Sequence, residues 1–176
     1  ISSSVFFHKK IDAHWILSNM AATPLVVEGV QFNSSEHLFQ TMKFCTEDSI
    51  NAVYRSHSPK MTAKHYQKLG GHRREDWGNI IIDVMKFCLQ MKYEQYSEFR
   101  NELGFTCGYN IVELQDAKND KESSRPNAWG VKTKGSNYVG PNIMGRLLME
   151  LRDNGKLDYN LPDEIFDSFH YLQHLP

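Results

Sequence analysis

The sequence has no long apolar run. None of its 176 residues lies in an uninterrupted apolar stretch of the roughly 18 residues that a membrane-spanning helix needs. No charged and then apolar signal segment opens the chain. We therefore expect a protein with no membrane partner that resides inside the cell, in the cytoplasm or the nucleus.

Cysteine is scarce, with three residues far apart at Cys45, Cys88 and Cys107. The odd number and the wide spacing do not suggest a disulfide framework, and they favour reduced, buried thiols in an intracellular protein. No Cys/His spacing is typical of a zinc site. The sequence therefore predicts no metal centre.

The sequence also has no excess of either charge. It contains 20 Lys and Arg residues and 21 Asp and Glu residues, which gives a net charge of -1. The length and the 40% hydrophobic content are typical of one globular domain, which we place over residues 1–176. One segment, residues 55–74, departs from this balance because it has no acidic residue. Its cations are Arg55, Lys60, Lys64, Lys68, Arg73 and Arg74. This basic segment is typical either of a solvated face or of a surface that binds phosphate groups.

Hydrophobic periodicity and turn residues predict a mainly helical chain with a small β element, an α+β class. Helices are expected over residues 33–45, 48–55, 59–69, 76–93, 97–103, 143–153 and 162–170. Strands are expected at residues 5–8, 111–114 and 129–134, with a hairpin over 24–32 that turns at Glu28-Gly29. Residues 116–128 read as a polar loop. Asn33 and Asn142 are the predicted N-caps of the first and the last major helix.

The first predicted helix, with the sequence NSSEHLFQTMKF, has a row of polar side chains on one side. Glu36, Gln40 and Lys43 are spaced i, i+4 and i+7, so they fall within about 60° of one another. We call these three residues the polar stripe. Phe39 and Phe44 border it, which suggests the wall of a cleft rather than a solvated face.

Two structural alternatives exist for the polar stripe. Glu36 can complete a capping box with Asn33, and Gln40 with Lys43 can be a plain surface pair. Leu38, Met42 and Cys45 form the expected core side of the same helix.

Two further segments carry candidate binding residues. Gly135, Gly140 and Gly145 surround the helix start at Asn142, where backbone N–H groups favour a phosphate. Ser18 and Asn19 form a polar pair after apolar residues, which on its own is typical of a turn.

Taken in order, these elements resemble the YbiA/NADAR family, over residues 6–152, with residues 153–176 as a C-terminal extension. The motifs that carry the resemblance are Leu17-Ser18-Asn19, Pro24, Gly29, Ser35-Glu36-x-x-x-Gln40-x-x-Lys43, Ser58-Pro59, Ala63-Lys64, Trp77, Val84-Met85, the stretch 103–108 before Val112-Glu113, Trp129-Gly130, Gly140-x-Asn142-x-x-Gly145 and Leu148-Met149-x-x-Arg152. One departure is clear. The family often carries an aspartate shortly before the Trp-Gly pair, where this chain has SRPN at residues 124–127.

The resemblance implies an N-glycoside hydrolase that needs no cofactor. Two substrate types are associated with the family: guanine bearing ADP-ribose on its exocyclic amino group in nucleic acid, and early riboflavin intermediates. Both contain a ribosylamine with a phosphate at the 5′ end. The third possibility is a module that binds ADP-ribose or NAD without hydrolysis.

Roles for residues follow from the resemblance and from the chemistry. Glu36 is expected to stabilise the charge that develops on the sugar or to activate water, and Lys43 to attack C1′ as a Schiff-base nucleophile. Gln40 is expected to orient substrate or water. The remaining predicted substrate-binding residues are Ser18, Asn19, Ser35, Trp77, Trp129, Gly130, Gly140, Asn142 and Gly145. Among these, the tryptophans are expected to stack on a base or ribose, with core packing as the alternative, and the Gly140–Asn142 start is expected to hold the 5′ phosphate.

The basic segment decides the choice of substrate at this point. Six cations without an acid favour ADP-ribosylated nucleic acid as the partner, over a small riboflavin intermediate. DNA and RNA are not distinguished, and the oligomeric state is open.

Overall fold

The computed structural model describes residues 3–115 and 128–173, so nearly all of the predicted polar loop at 116–128 lies outside the described residues. The α+β class with dominant helices is confirmed. The helices are α1 Ser35–Met42, α2 Glu47–Arg55, α3 Pro59–Leu69, α4 Trp77–Gln95, α5 Ser97–Phe105 and α6 Ile143–Asn154. The strands are β1 Ser4–Phe7, β2 Leu25–Val27, β3 Val30–Phe32, β4 Asn110–Glu113, β5 Lys132–Lys134 and β6 Asn137–Val139.

Contacts between Cα atoms divide the chain into two compact units. The first unit is Ile1–Ala21 with Tyr96–Leu157, and the second is Ala22–Gln95 with Asp158–Pro176. The single domain expected over residues 1–176 stays a prediction.

The first unit is built on a parallel pair of strands. β1 pairs with β4, with Ser4 opposite Asn110 and Phe7 opposite Glu113, and α6 packs against β4. Beyond β4, Leu114 forms an isolated parallel bridge with Val131. The strand expected over 129–134 is shorter, at β5, and it forms a hairpin with β6, which the sequence analysis missed.

Arg152, near the end of α6, ties that helix to the turn after α5. Its Nη1 donates to the carbonyl oxygens of Thr106 at 2.9 Å and Tyr109 at 2.8 Å. A guanidinium that satisfies two turn carbonyls while it stays largely buried is a structural feature, and it accounts for Arg152 in the Leu148-Met149-x-x-Arg152 motif.

The second unit opens with the hairpin of β2 and β3, as predicted. Glu28 and Gly29 both adopt positive φ, 51° and 75°, the conformation that a tight two-residue hairpin turn requires. The chain then enters α1, whose N-cap is Ser34 and not Asn33 as predicted. Ser34 Oγ accepts from the backbone N–H of His37 at 3.1 Å, so the adjacent residue fills the capping position.

The core of the second unit lies between α1 and α4, where Leu38, Met42, Val84 and Leu89 are buried. The tail closes it, because Phe169 packs its ring 5.5 Å from that of Phe32. The helix predicted over 162–170 is a 3-10 helix at Asp167–Tyr171.

The cysteines differ partly from expectation. All three are free thiols, but only Cys88 is buried, whereas Cys45 and Cys107 are exposed. Cys45 was assigned to the core side of α1 on the assumption that the helix reaches it. The helix ends at Met42, so Cys45 falls outside the helical period.

Within residues 3–115 and 128–173, no helix is both long and apolar enough to cross a bilayer. In the same part of the chain, no group of three or more His, Cys, Asp or Glu side chains is placed to hold a metal ion.

Candidate active site

The polar stripe forms on α1, and its first two members are joined directly. Nε2 of Gln40 donates to Oε1 of Glu36 at 2.8 Å. Glu36 is half-buried, and Gln40 is 8% exposed. The capping box with Asn33, the structural alternative considered for Glu36, is therefore not formed, because Ser34 caps the helix and Glu36 accepts from the next turn instead.

The side-chain oxygen of Gln40 has no donor within hydrogen-bond distance among the described residues, although it is buried. Reversing the amide would place this oxygen against the carboxylate of Glu36, so the bond to Glu36 sets the orientation. A buried amide oxygen without a donor costs stability, so Gln40 keeps a hydrogen-bond acceptor that the described residues do not use. The expected role of Gln40 in orienting substrate or water stays a prediction.

Lys43 lies at the C-cap of α1 and is half-buried. Its Nζ donates to Oε1 of Gln67 on α3 at 2.6 Å and lies 5.9 Å from the centre of the Phe44 ring. Burial lowers the pKa of Lys43, the charge of Arg73 lowers it further, and the charge of Glu36 opposes both. A lowered pKa enlarges the neutral fraction of the amine, which is the form that attacks a carbonyl carbon.

Gln67 and Arg73 are site residues that the sequence analysis did not assign to the site. Residues 43–45 contact residues 72–74. Arg74 N donates to Lys43 O at 3.0 Å, and Phe44 forms an isolated antiparallel β-bridge with Arg73. This contact joins positions about 30 residues apart in the sequence, and no local sequence pattern predicts it. The one available signal was the lack of acid in the basic segment, which contains both Gln67 and Arg73.

Cys88 of α4 lies behind the polar stripe. Burial raises the pKa of this thiol well above its ordinary range, and the negative charge of Glu36 adds to the effect. The carboxylate of Glu36 therefore acts on α4 as well as on Lys43. A thiol held protonated beside it is a core group and not a nucleophile.

The aromatic residues expected to border the polar stripe are buried beneath it. Phe39 packs against Trp77 with ring centres 5.2 Å apart, and Phe44 packs against Tyr66 at 6.3 Å. Trp77 is 3% exposed, which the core-packing alternative explains. Its predicted contact with substrate stays a prediction. Ser35, the first residue of α1, is fully buried.

Two further polar residues of this unit are buried, and the sequence analysis gave neither a role. His37 Nδ1 accepts from Asn33 N at 3.1 Å, and its Nε2 donates to Tyr54 O at 2.9 Å, so the ring joins the start of α1 to α2. Lys92 of α4 is 0% exposed, and burial lowers its pKa from 10.5 to about 7. An amine in the interior is rare and has no sequence signature.

The other predicted site residues lie in the first compact unit. Ser18 ends the 3-10 helix Trp15–Leu17, and its Oγ accepts from Met20 N at 3.2 Å. Ser18 and Asn19 are both buried. The turn reading fits Ser18, and the substrate-binding roles of both residues stay predictions.

The start of α6 does not offer the free N–H groups that were expected to bind a phosphate. The backbone N–H groups of Asn142, Ile143 and Met144 donate to the carbonyl oxygens of Gly130, Ala128 and Trp129, at 2.9–3.3 Å. These three N–H groups are therefore already used by the preceding loop, and the 5′ phosphate expected at this helix start stays a prediction. Trp129 itself is half-buried.

Asn142 adopts a left-handed conformation with φ of 50° and does not cap α6 with its side chain. Its Nδ2 donates to Ile111 O at 2.9 Å, and its Oδ1 accepts from Glu113 N at 3.1 Å. Both side-chain groups therefore hold α6 to β4. A direct side-chain bond from Asn142 to substrate would require these two bonds to break.

The glycines of this unit permit close backbone packing. A Cβ on Gly145 would overlap Ile111 O and the Asn142 side chain, and one on Gly130 would lie 2.5 Å from Glu113 O. Gly140 has φ of 151°, and a Cβ there would lie 2.5 Å from Gly130 O. The spacing Gly140-x-Asn142-x-x-Gly145 thus has a packing cause, while substrate contacts by these glycines stay predictions.

Comparison with known proteins identifies relatives of this chain and of its fold. The NADAR domain matches residues 5–154. N-glycosidase YbiA of Shigella boydii is 34% identical over 147 residues, 84% of this chain and 85% of that protein, and N-glycosidase YbiA of Escherichia coli is 33% identical over the same length. The NMR structure of E. coli YbiA aligns with a TM-score of 0.68 and 29% identity, over 99% of this chain and 90% of that one. A riboflavin biosynthesis protein of Vibrio vulnificus is 26% identical over 149 residues, 85% of this chain and 38% of that protein.

The match over residues 5–154 and the structural alignment therefore identify the α+β fold as that of a NADAR domain. This chain belongs to the NADAR family, and the family resemblance expected from the ordered motifs is confirmed.

Proposed function

We propose that this protein is an N-glycoside hydrolase that breaks the bond between C1′ of a ribose and an exocyclic amine. The observation that carries the proposal is the polar stripe, where a carboxylate, a buried unsatisfied amide oxygen and an amine of lowered pKa share one helix face. The names of the relatives, N-glycosidase YbiA, support the same class of reaction.

Glu36 supplies the negative charge that this reaction needs. Breaking a C1′–N bond builds positive charge on the sugar, and a carboxylate near C1′ stabilises that charge. Gln40 holds one carboxylate oxygen of Glu36 in place at 2.8 Å, so the group is positioned before substrate binds. Its own Oε1 then accepts a hydrogen from a ribose hydroxyl or from the leaving amine.

Lys43 supports a covalent route. A ribosylamine opens its ring to an imine, and neutral Nζ of Lys43 adds to C1′ of that imine. Both protons of Nζ pass to the substrate nitrogen, the C1′–N bond to the substrate breaks, the substrate amine leaves as R–NH₂, and a neutral lysine imine remains. Water adds to this imine, the lysine amine is released, and the free sugar closes its ring. The lowered pKa of Lys43 provides the neutral amine for the first step.

The substrate we favour is ADP-ribose on the exocyclic amino group of guanine in nucleic acid. The support is the basic segment, where five cations are exposed: Arg55, Lys60, Lys64, Lys68 and Arg73. The sixth, Arg74, is neutralised by Asp76 at 2.8 Å and Glu164 at 3.5 Å. A surface of this charge suits a polyanion.

The second candidate is a phosphorylated ribosylamino-pyrimidine, an early riboflavin intermediate. The specific support is the riboflavin biosynthesis protein of V. vulnificus, although this chain spans 38% of it. The bond to be broken is of the same kind in both candidates, so the same three residues suit either. A module that binds ADP-ribose or NAD without hydrolysis is the third possibility.

The test is a substrate panel with the wild-type protein. An oligonucleotide with ADP-ribose on one guanine and a ribosylamino-pyrimidine phosphate are incubated separately, and the released sugar is followed by mass spectrometry. Release of ADP-ribose with a higher kcat/KM for the oligonucleotide supports the proposal. Release of sugar from the ribosylamino-pyrimidine phosphate alone would favour the second candidate substrate. Tight binding of ADP-ribose with no release from either substrate would leave the non-catalytic module.

A further inference from the structure

We propose that the outer face of α3 is the surface on which the phosphate backbone of a nucleic-acid substrate docks. The inference rests on the proposed function and assigns a surface to its partner. The surface consists of Lys60, Lys64 and Lys68, which we call the lysine row. No residue of the row belongs to the candidate active site.

The geometry of α3 turns the lysine row outward. Thr62, Ala63 and Tyr66 face the rest of the unit, and Ala63 is buried, whereas all three lysines are exposed. A spacing of i, i+4 and i+8 places the row within about 80° of the helix circumference. With a rise of 1.5 Å per residue, the row extends about 12 Å along the axis.

The part of the chain that the structure describes does not neutralise the charge of the lysine row. Among the described residues, no carboxylate forms a salt bridge with any of the three lysines, and residues 55–74 contain no acid. The chain as a whole has a net charge of -1, so a local concentration of cations must be balanced by acids elsewhere. A row of regularly spaced cations fits a ligand with regularly spaced anions. A phosphate backbone has such a series of charges, whereas a single diphosphate does not.

The lysine row is next to the polar stripe. Gln67 lies on α3 between Lys64 and Lys68, and its Oε1 accepts from Nζ of Lys43 at 2.6 Å. The same helix therefore holds the proposed nucleophile and presents the row. A strand bound along the row is brought close to Lys43, where a modified base has to be placed for reaction.

The experiment compares two triple variants with the same change in net charge. The first is Lys60→Gln with Lys64→Gln and Lys68→Gln. The matched control is Lys9→Gln with Lys10→Gln and Lys134→Gln, which removes three exposed lysines outside the second unit. Binding of an unmodified oligonucleotide is measured by fluorescence anisotropy over a range of salt concentrations. Release of ADP-ribose is measured on the modified oligonucleotide and on ADP-ribosylated guanosine.

The row variant is expected to bind the oligonucleotide roughly tenfold or more weakly in dilute salt, with a log–log salt slope smaller by about two to three. Its activity on the small nucleoside should match wild type, and the control should behave as wild type throughout. Unchanged binding and slope in the row variant would overturn the docking surface. A wild type that binds no oligonucleotide, or that binds anionic vesicles through the same lysines instead, would also overturn it.

The binding measurement separates this inference from the proposed function. A wild type that binds through the lysine row but releases sugar from no substrate would support the surface and contradict the hydrolase. Release of sugar by wild type, together with unchanged oligonucleotide binding and salt slope in the row variant, would support the hydrolase and contradict the surface.

Discussion

Gln40 donates its amide N–H to Glu36 at 2.8 Å, and its own amide oxygen is buried without a donor from any residue that the structure describes. The first contact orients the carboxylate, and the second leaves an acceptor that folding alone does not satisfy. This pair is therefore where the proposed binding of a ligand at α1 can be tested by substitution.

Replacement of Gln40 by methionine tests that link. Gln40→Met removes a buried polar group that costs about 1–3 kcal/mol when unsatisfied, so the free energy of unfolding should stay the same or rise. The Kd for ADP-ribose should rise about tenfold, since one hydrogen bond is worth about 1.4 kcal/mol. Chemical denaturation and calorimetry measure the two quantities.

The matched control for Gln40 is Gln90→Met. Gln90 is also buried and also donates to a carboxylate four residues away, Glu94 at 3.0 Å. It should lose stability and leave the Kd for ADP-ribose unchanged. A loss of several kcal/mol in Gln40→Met with no change in Kd would show that Gln40 is structural.

Arg73 lowers the pKa of Lys43 in addition to the larger effect of burial. Its positive charge lowers the pKa of Lys43, so Arg73→Gln should raise that pKa and move the alkaline rise of kcat to higher pH. The negative charge of Glu36 raises the pKa of Lys43, whereas the positive charge of Arg73 lowers it. Loss of the Arg73 charge should therefore shift that pKa upward. The pH profile of kcat is the measurement, and Arg55→Gln, an exposed cation that is not among the groups acting on Lys43, is the control. A shift of the profile to lower pH would contradict this account.

Gly145 should tolerate no side chain. Ala is the better helix former by about 1 kcal/mol, yet a Cβ here would overlap Ile111 O and the Asn142 side chain. Gly145→Ala is expected to lower the free energy of unfolding by roughly 3 kcal/mol. Gly104→Ala in α5 is the control, because nothing lies within 4 Å of a Cβ there, and it should be neutral or slightly stabilising. Urea denaturation distinguishes the two, and equal stability of both variants would contradict the packing role.

Lys92 should make stability depend on pH. Its pKa falls from 10.5 in the unfolded chain to about 7 in the folded protein, so the unfolded state binds more protons between these values. Lys92 therefore lowers the free energy of unfolding at pH 7, and this destabilisation decreases as the pH rises towards 10.5. Lys92→Met should gain on the order of a few kcal/mol relative to wild type at pH 7, and less at pH 10. Thermal unfolding at both pH values measures this, and a gain that grows with pH would refute it.

Local features of the fold were predictable from sequence. Both residues of the turn at Glu28-Gly29 have positive φ, and the glycine, which adopts this conformation without steric cost, is the residue that predicts the turn. The i, i+4 and i+7 spacing of the polar stripe also depends on one helix alone. Ser34 and Asn33 are both good N-caps, so their order could not be decided without the backbone.

Features set by distant contacts were not predictable. Cys45 leaves the helix because residues 43–45 meet residues 72–74, and the start of α6 loses its N–H groups to carbonyls of residues 128–130. The burial of Lys92 and the contact of Gln67 with Lys43 likewise depend on how helices pack. In each case the residue types are compatible with several environments, and tertiary structure selects one.

The central claim is that the polar stripe performs N-glycoside hydrolysis. The most direct measurement is release of ADP-ribose from an oligonucleotide modified on one guanine, by wild type, Glu36→Gln and Lys43→Ala. Glu150→Gln and Lys10→Ala, which change exposed residues of the same types, are the controls. The account predicts release by wild type and both controls, a loss of at least about 100-fold in each stripe variant, and a borohydride-trapped adduct that requires Lys43. Release that survives both stripe substitutions at the wild-type rate would contradict it.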